Sequence, residues 1–536
     1  MRTVYPNLYK QRAKQLDKLG IDWLYPFAKD DVIRMSMKDS NLLADYMGLG
    51  KTRKIIALGL LYGCKHNLIV VEARLKKDFI NEFRTLKITD YKIIDDEKDL
   101  KNLKKFNIMS YNKLWRPLND RTKKTFGKAL RNRCGFIAID EGHGIKAKDS
   151  KQALAVRNLK ARYKLISTGT PIANYPRNIF SLLVWGWGDG TELNKYGYYT
   201  PISDGYGYTS GTRKFKEDFV TIEWVSPQFE QTLDTGRKAR EMPKIKDIKK
   251  WHDMLAPKMM RRTWDEPDVM KCVRIPDAKI EELIIKPNQA QITHYKKWLD
   301  DFAAWFREQL EKEKEGGHKI DQMIILAHLT KLQFASTIPQ SPTTNCPGFE
   351  WTGDLTTKQA KTLEIIKEAL ANREKIIVYS ERPEFQKFMQ EELKKQGIAS
   401  HIFIGEQGID DRNDLLDDFK MNGTNVLLAT TTCGGTGLNI PEANVVVIAD
   451  TSWTPSRQIQ AYSRILRPQQ KKQPRIFLLR CDGTIDMYMR QLMNAKNDAI
   501  NQGIDHSAYQ EIDMSKWLSY RDFTIKMLKD EGYDIY

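Results

Sequence analysis

Short apolar runs rich in Val and Ile alternate with helix-like stretches along this 536-residue chain, and the alternation occurs twice. In the first half the runs are Leu68–Val71, Tyr91–Ile94, Phe106–Met109, Phe136–Ile139 and Tyr163–Ile166. In the second they are Lys375–Tyr379, His401–Ile404, Asn425–Ala429, Asn444–Ala449 and Arg475–Leu479. A run with almost no polar interruption has no solvent face, so it suits a parallel strand covered on both sides. Strands alternating with helices predict a doubly wound α/β domain. Two such series predict two tandem parallel-sheet lobes.

The material between the series reads differently. Gly186–Gly211, rich in Gly, Tyr and Thr, reads as irregular loop, and Lys214–Arg262 as charged and mostly helical. Pro287–Gln333 sets Ile292, Tyr295, Trp298, Phe302 and Trp305 at helical spacing. The expected organisation is an N-terminal segment (1–35), lobe one (36–185), a helical insertion attached to it (186–274), lobe two opening with a crossover and helices (275–504), and a C-terminal extension (505–536). The insertion's aromatics, Tyr196, Tyr198, Tyr199, Tyr206, Tyr208 and Trp224, either pack a small core or stack on a splayed base.

The formal net charge is +18, with basic concentrations at Lys101–Lys105, Arg121–Arg133, Arg237–Lys250 and Lys471–Arg475. A polyanion is the natural partner of such a surface. The six cysteines form no CxxC pair and no Cys/His cluster of zinc spacing, so no zinc site is expected. Scattered thiols suit a reducing compartment. Met1–Lys10 has no apolar signal core, and no apolar stretch is long enough to cross a bilayer. A cytoplasmic protein is expected, with no membrane partner.

Chemistry concentrates in four places. Asn41–Leu43 leads into Ala44-Asp45-Tyr46-Met47-Gly48-Leu49-Gly50-Lys51-Thr52, followed by a helix over Arg53–Tyr62. Glycines there let backbone amides approach a phosphate closely, and the helix N-terminus adds partial positive charge. Lys51 can reach the β/γ-phosphates and Thr52 can ligate Mg²⁺. Asp45 stands where a P-loop has its first glycine. The second place is Asp140-Glu141-Gly142-His143, after an apolar strand. Asp140 would hold the metal, and Glu141 would orient and deprotonate the attacking water. The third is Ser167-Thr168-Gly169-Thr170-Pro171, whose hydroxyls can sense a γ-phosphate. The fourth is Gln460 to Arg467, where Arg464 and Arg467 stand three apart and would share one helix face.

These elements, in this order, resemble the Swi/Snf-like branch of superfamily 2 helicases, whose members are DNA translocases and chromatin remodellers. ADYMGLGKTRKIIA resembles the branch's ADEMGLGKT, and the stretch from Asp140 to Asn174 resembles its DEAH…TGTPIQN. NIMSYNKL, MRRTWDEPDV, TTTCGGTGLNI and Asp450–Arg467 resemble further motifs of the branch. The resemblance covers about Leu24 to Asp498 and implies two RecA-like lobes. It also implies an ATPase using Mg²⁺, stimulated by nucleic acid, and backbone-tracking contacts to duplex or branched DNA in replication, recombination or repair. A strand-separating DNA or RNA helicase would share the same motifs. The implied roles are phosphate binding by Gly48, Leu49, Gly50, Lys51 and Thr52. Gln460, Arg464 and Arg467 would contact the γ-phosphate, and Ser110, Ser380, Thr430, Thr431, Gly434 and Gly435 would lie near the nucleic-acid track. Four positions depart from the pattern: Ala28 replaces an adenine-reading Gln, Glu72 a Pro, Gly142 an Ala and Thr454 an Asn. Chromodomain, bromodomain, RING and nuclease signatures are lacking, as in a compact bacterial or phage motor.

Overall fold

The computed structural model describes residues 5–535 apart from 173–174, 200, 204–207, 226–237, 275, 317–319, 422, 435–438 and 505–519. The chain divides into two compact units. Unit 1 is Met1–Arg274 with Asp498–Gln510, and unit 2 is Ile275–Asn497 with Glu511–Tyr536.

Unit 1 is built on strands β1 (Ser40–Leu43), β2 (Asn67–Val71), β3 (Tyr91–Ile93), β4 (Phe106–Ser110), β5 (Phe136–Ile139) and β6 (Tyr163–Ser167). β2, β4 and β5 are buried at every residue, as expected of strands covered on both faces. All pair in parallel, in the order β1-β6-β5-β2-β4-β3. The register sets Leu43 beside Ser167 and Ile139 beside Ile166. The residues that follow β1 and β5 therefore emerge at one edge of the sheet, where doubly wound folds bind ligands.

The insertion differs from expectation. Pro201–Ser203 (β7) and Tyr208–Ser210 (β8) form an antiparallel pair within the stretch read as irregular. Val220–Val225 (β9) and Lys238–Ile245 (β10) form another within the stretch read as mostly helical. The β-branched residues at Val220, Thr221 and Ile222 favour the extended chain. Met259–Met260 (β11) adds a seventh strand beside β1. Tyr196 packs edge-on against Phe215 and Phe219 and donates to Asp218 Oδ2 at 2.7 Å, so it belongs to a buried core, one continuous with that of the sheet. Trp251 joins that core and donates to Gly503 O at 2.7 Å. Tyr199 and Tyr208 are exposed. Tyr206, and the side chain of Trp224, lie outside the described residues.

Unit 2 carries β12 (Lys279–Ile285), β13 (Ile376–Ser380), β14 (His401–Phe403), β15 (Val426–Thr430), β16 (Val445–Ile448) and β17 (Arg475–Cys481). They form a parallel sheet ordered β12-β17-β16-β13-β15-β14. β12 falls in the stretch read as a crossover. As an edge strand it carries Lys279, Glu281 and Glu282, which conceal it from an apolar-run reading. Helices Gln289–Lys314 and Gln322–Thr337 follow it. No helix among the described residues is long and apolar enough to cross a membrane.

Candidate active site

Behind β1 the chain turns through Gly48 (φ 82°) and Gly50 (φ 75°) into helix Lys51–Leu61. Both glycines occupy the left-handed region that side chains avoid. Lys51 Nζ donates to the carbonyls of Asp45 (3.0 Å) and Tyr46 (3.2 Å) inside the loop. A Cβ built on Gly169 would lie 3.6 Å from that Nζ, so the loop after β6 faces the lysine.

Asp45 is fully buried. Lys54 sits between its carboxylate and that of Asp31, 2.6 Å from each, and both side chains of each pair are sealed from solvent. Burial opposes the ammonium, but the two carboxylates outweigh it and hold Lys54 protonated. Asp31 also takes Arg262, at 2.8 Å. Thus the residue in place of the first P-loop glycine anchors the loop to its own helix and, through Lys54 and Asp31, to the last segment of the insertion. That segment runs alongside the loop. Ala44 N donates to Met260 O (2.7 Å) and Tyr46 N to Arg262 O (2.9 Å). Arg261 donates to Ala44 O at 2.8 Å and lies over the Tyr46 ring, and Trp264 Nε1 donates to Met47 O at 2.9 Å. In the sequence these residues stand out only through MRRTWDEPDV, which resembles a further motif of the branch. Their seat on the P-loop carries no local signal, since the partners are more than 200 positions apart.

At the end of β5, Asp140 is buried and accepts a 2.8 Å hydrogen bond from Ser167 Oγ. Burial and the charge of Glu141 push its carboxyl up to about 6. Glu141 has φ 49°, a left-handed conformation that costs a non-glycine residue about 1–3 kcal/mol. Its carboxylate meets His143 Nδ1 at 3.1 Å, and His143 Nε2 lies 4.0 Å from Glu72. Burial lowers the imidazole's proton affinity, but Glu141 and Glu72 prevail and raise it. Glu72, the departure from proline, therefore supports the histidine that holds Glu141. Gly142 has a steric cause as well: a Cβ there would stand 2.7 Å from Ile166 Cγ2. Ser167 and Thr168 are buried, and Thr168 Oγ1 accepts from Thr170 N at 3.2 Å. Ser110, at the end of β4, is nearly buried, and its neighbour Tyr111 donates to Asp140 O at 2.7 Å. Ala28 is buried in helix Pro26–Ser36.

The donor set suits Mg²⁺. The hydroxyl of Thr52 and the carboxylate of Asp140 are hard oxygen ligands, and a Cβ on Gly50 would meet nothing within 4 Å, leaving an open cradle for phosphate. The unit 1 residues Gly48 to Thr52, Asp140, Glu141, Ser167, Thr168 and Thr170 thus gather along one edge of one sheet.

In unit 2, Gln460 lies in helix Pro455–Tyr462 and is nearly buried. The helix stops before both arginines, so Arg464 and Arg467 do not share a helix face. Amides of Arg464 and Ile465 bond back only three residues, in turn geometry. Pro468 biases Arg467 away from the helical region. Arg464 is buried close to Tyr379. Ser380 is fully buried; its hydroxyl donates to Asp450 Oδ2 at 2.7 Å and accepts from Arg382 N. Thr430 and Thr431 are nearly buried, and Thr430 Oγ1 has no hydrogen-bond partner among the described residues. Gly434 ends helix Thr431–Gly434, and Gly435 lies outside the described residues.

A glycine loop with its lysine, set beside an Asp–Glu pair at the ends of parallel strands, defines a P-loop ATPase. Residues 17–185 match the SNF2-related domain and residues 358–469 the helicase conserved C-terminal domain. The chain belongs to the Swi2/Snf2 family of ATPases. It is 25% identical over 576 residues to human DNA repair and recombination protein RAD54B, covering 98% of this chain and 57% of that protein. It is 26% identical over 500 residues to an uncharacterized ATP-dependent helicase of Mycoplasma pneumoniae, covering 90% of this chain and 41% of that one. The chain therefore spans about half the length of such relatives. The Sulfolobus solfataricus SWI2/SNF2 ATPase core in complex with dsDNA aligns at 20% identity, with a TM-score of 0.37, over 90% of this chain and 93% of that one.

Proposed function

We propose that the chain is an ATP-driven translocase on double-stranded or branched DNA, serving replication, recombination or repair in a bacterial or phage-infected cytoplasm. The observation that carries the reading is the strand-edge cluster of Lys51, Asp140, Glu141 and Ser167, which supplies a phosphate-binding lysine, a metal-binding carboxylate and a base for phosphoryl transfer to water. The +18 charge and the DNA repair relatives supply the DNA half of it.

In this reading the amides of Gly48, Leu49 and Gly50 cradle phosphate, and Lys51 leaves its carbonyl contacts for the β/γ-phosphates. Thr52 and Asp140 would hold Mg²⁺, which neutralises phosphate charge when bound. Glu141 takes the proton of the attacking water, and His143 fixes its carboxylate. Ser167 bonds Asp140 directly, so the loop through Thr168 and Thr170 can report the state of the site. Gln460, Arg464 and Arg467 of unit 2 supply donors and positive charge to the γ-phosphoryl group. Ser110, Thr430, Thr431, Gly434 and Gly435 serve the DNA backbone, which carries no base information.

The test is steady-state ATP hydrolysis without nucleic acid, then with duplex DNA, single-stranded DNA, a fork and RNA at one salt concentration. Strong stimulation by duplex or fork is the expected result, with Lys51→Ala inactive throughout. Stimulation by single strands or RNA alone would replace this reading with a strand-separating helicase.

A further inference from the structure

The opposite edge of the unit 1 sheet, where the strands begin, is a strongly basic surface that the nucleotide chemistry leaves unused. Because every strand is parallel, the residues preceding them gather there, about 16 Å from the P-loop edge for a five-residue strand. Lys160 and Arg162 precede β6, Arg131 and Arg133 precede β5, Lys65 and His66 precede β2, and Lys104 and Lys105 precede β4. Backbone bonds lock these turns side by side. Tyr163 N donates to Gly135 O, Gly135 N to His66 O, and Asn67 N to Lys105 O, all within 3.0 Å. The four strands β6-β5-β2-β4 are neighbours, so the basic row is about 15 Å long.

The row is charged and little neutralised. Lys65, Arg131, Arg133, Lys160 and Arg162 are exposed, and none makes an ion pair among the described residues. Of the carboxylates on this edge, Asp90 pairs with Lys104 at 3.7 Å, and Asp39 precedes β1. Like charges crowd one another here. Lys164 is pushed down to about 8 by burial and by Lys160, and Lys258 is lowered by burial and by Lys38. Between Arg133, Lys160 and Arg162 lies an open depression of about 380 Å³, floored by Gly135 and Cys134.

We infer that this strand-start edge is a second nucleic-acid surface, which holds the phosphate backbone of a duplex away from the nucleotide site. The inference rests on the DNA-motor reading and adds a contact to it. A row of cations with few carboxylates among them fits a polymer with one charge per ~1.7 Å of axis. An acidic protein would be expected to meet some apolar surface as well, and the large side chains at these turns are basic.

The experiment measures duplex affinity against salt for the full chain and for the triple variant Lys65→Gln, Lys160→Gln, Arg162→Gln. Arg133 is left in place because its guanidinium donates to Leu100 O at 2.6 Å. The slope of log affinity against log salt should become shallower by about 2 to 3, and affinity should drop about tenfold or more. ATP turnover without nucleic acid should stay unchanged, since none of the three residues touches the nucleotide site. The charge-keeping set Lys65→Arg, Lys160→Arg, Arg162→Lys should restore the slope. Wild-type slope and affinity in the Gln variant would overturn the inference alone and leave an acidic protein as the partner of this edge. A wild-type protein that binds no duplex would overturn both this inference and the motor reading.

Discussion

The two sheets share parallel architecture but treat the anion-receiving ends of their strands in opposite ways. In unit 1, β1 runs through Gly48 and Gly50 into a helix whose first turn is left open for phosphate. In unit 2, β13 runs through Ser380, Glu381 and Arg382 into helix Pro383–Lys395. There Asp450 accepts from Ser380 Oγ at 2.7 Å and from Glu381 N at 2.8 Å. A carboxylate of the protein occupies donors that a ligand would otherwise take. The same strand-to-helix geometry is thus a binding site in one unit and a closed joint in the other. What decides between them is whether an internal anion has been supplied.

The largest effect should come from the open end. Glu141→Gln removes the base while keeping the side chain's shape and its place beside His143. Turnover should drop by about 1,000-fold, with ATP affinity little changed. Rapid-quench hydrolysis beside a fluorescent-nucleotide titration checks both quantities, and normal turnover would remove Glu141 from the role of base. Next is Arg467→Ala in unit 2, expected to cost about 1,000-fold in turnover at unchanged nucleotide affinity. Equal losses of affinity and rate would mean that Arg467 serves binding rather than the transferring phosphoryl group. An unaffected rate would show that unit 1 turns over ATP without this arginine.

The contrast also explains what the sequence could and could not reveal. Lys51, Asp140 and Glu141 were legible because phosphate chemistry demands contiguous residues: glycines and lysine before a helix, carboxylates after a strand. The β2, β4 and β5 runs were legible because strands buried on both faces tolerate few polar residues. The seat of Arg261 and Trp264 on the P-loop was not, because it is made by contacts distant in sequence. β12 was hidden by the charges of an edge strand, and the end of helix Pro455–Tyr462 by arginines that look as helical as any others. Ser380 shows the same limit. Its position after a strand was readable, but its inward hydrogen bond to Asp450 was not.

A smaller effect separates stability from catalysis within the open end. Asp140 has its carboxyl raised to about 6 by burial and by Glu141, against an ordinary value near 3.8. Its ionised form is therefore disfavoured in the nucleotide-free fold. The associated stability is fully present below the unfolded value and is lost as pH rises through about 6. Asp140→Asn should then be more stable than wild type above pH 6, by on the order of 2 kcal/mol, and inactive as an ATPase. Denaturant melts from about pH 4 to about pH 8 should show the gap narrowing steadily toward the acid end. A gap independent of pH would assign the stabilisation to something other than this carboxylate.

The smallest effect bears on the closed joint, where two accounts of Ser380 make different predictions. If its hydroxyl serves Asp450, Ser380→Ala strips one donor from a buried carboxylate and one acceptor from Arg382 N. That should destabilise the protein by about 1–2 kcal/mol and leave duplex affinity unchanged at fixed salt. If the hydroxyl serves a DNA phosphate, the melt stays put and duplex affinity falls. Burial favours the first account, since no part of Ser380 reaches solvent. Ser380→Cys sharpens the choice. A thiol nearly matches the hydroxyl in size but donates weakly, so the loss of stability should persist although the packing is kept. Recovery of full stability in the Cys variant would mean that shape holds this joint closed, and that the internal anion of unit 2 is incidental to it.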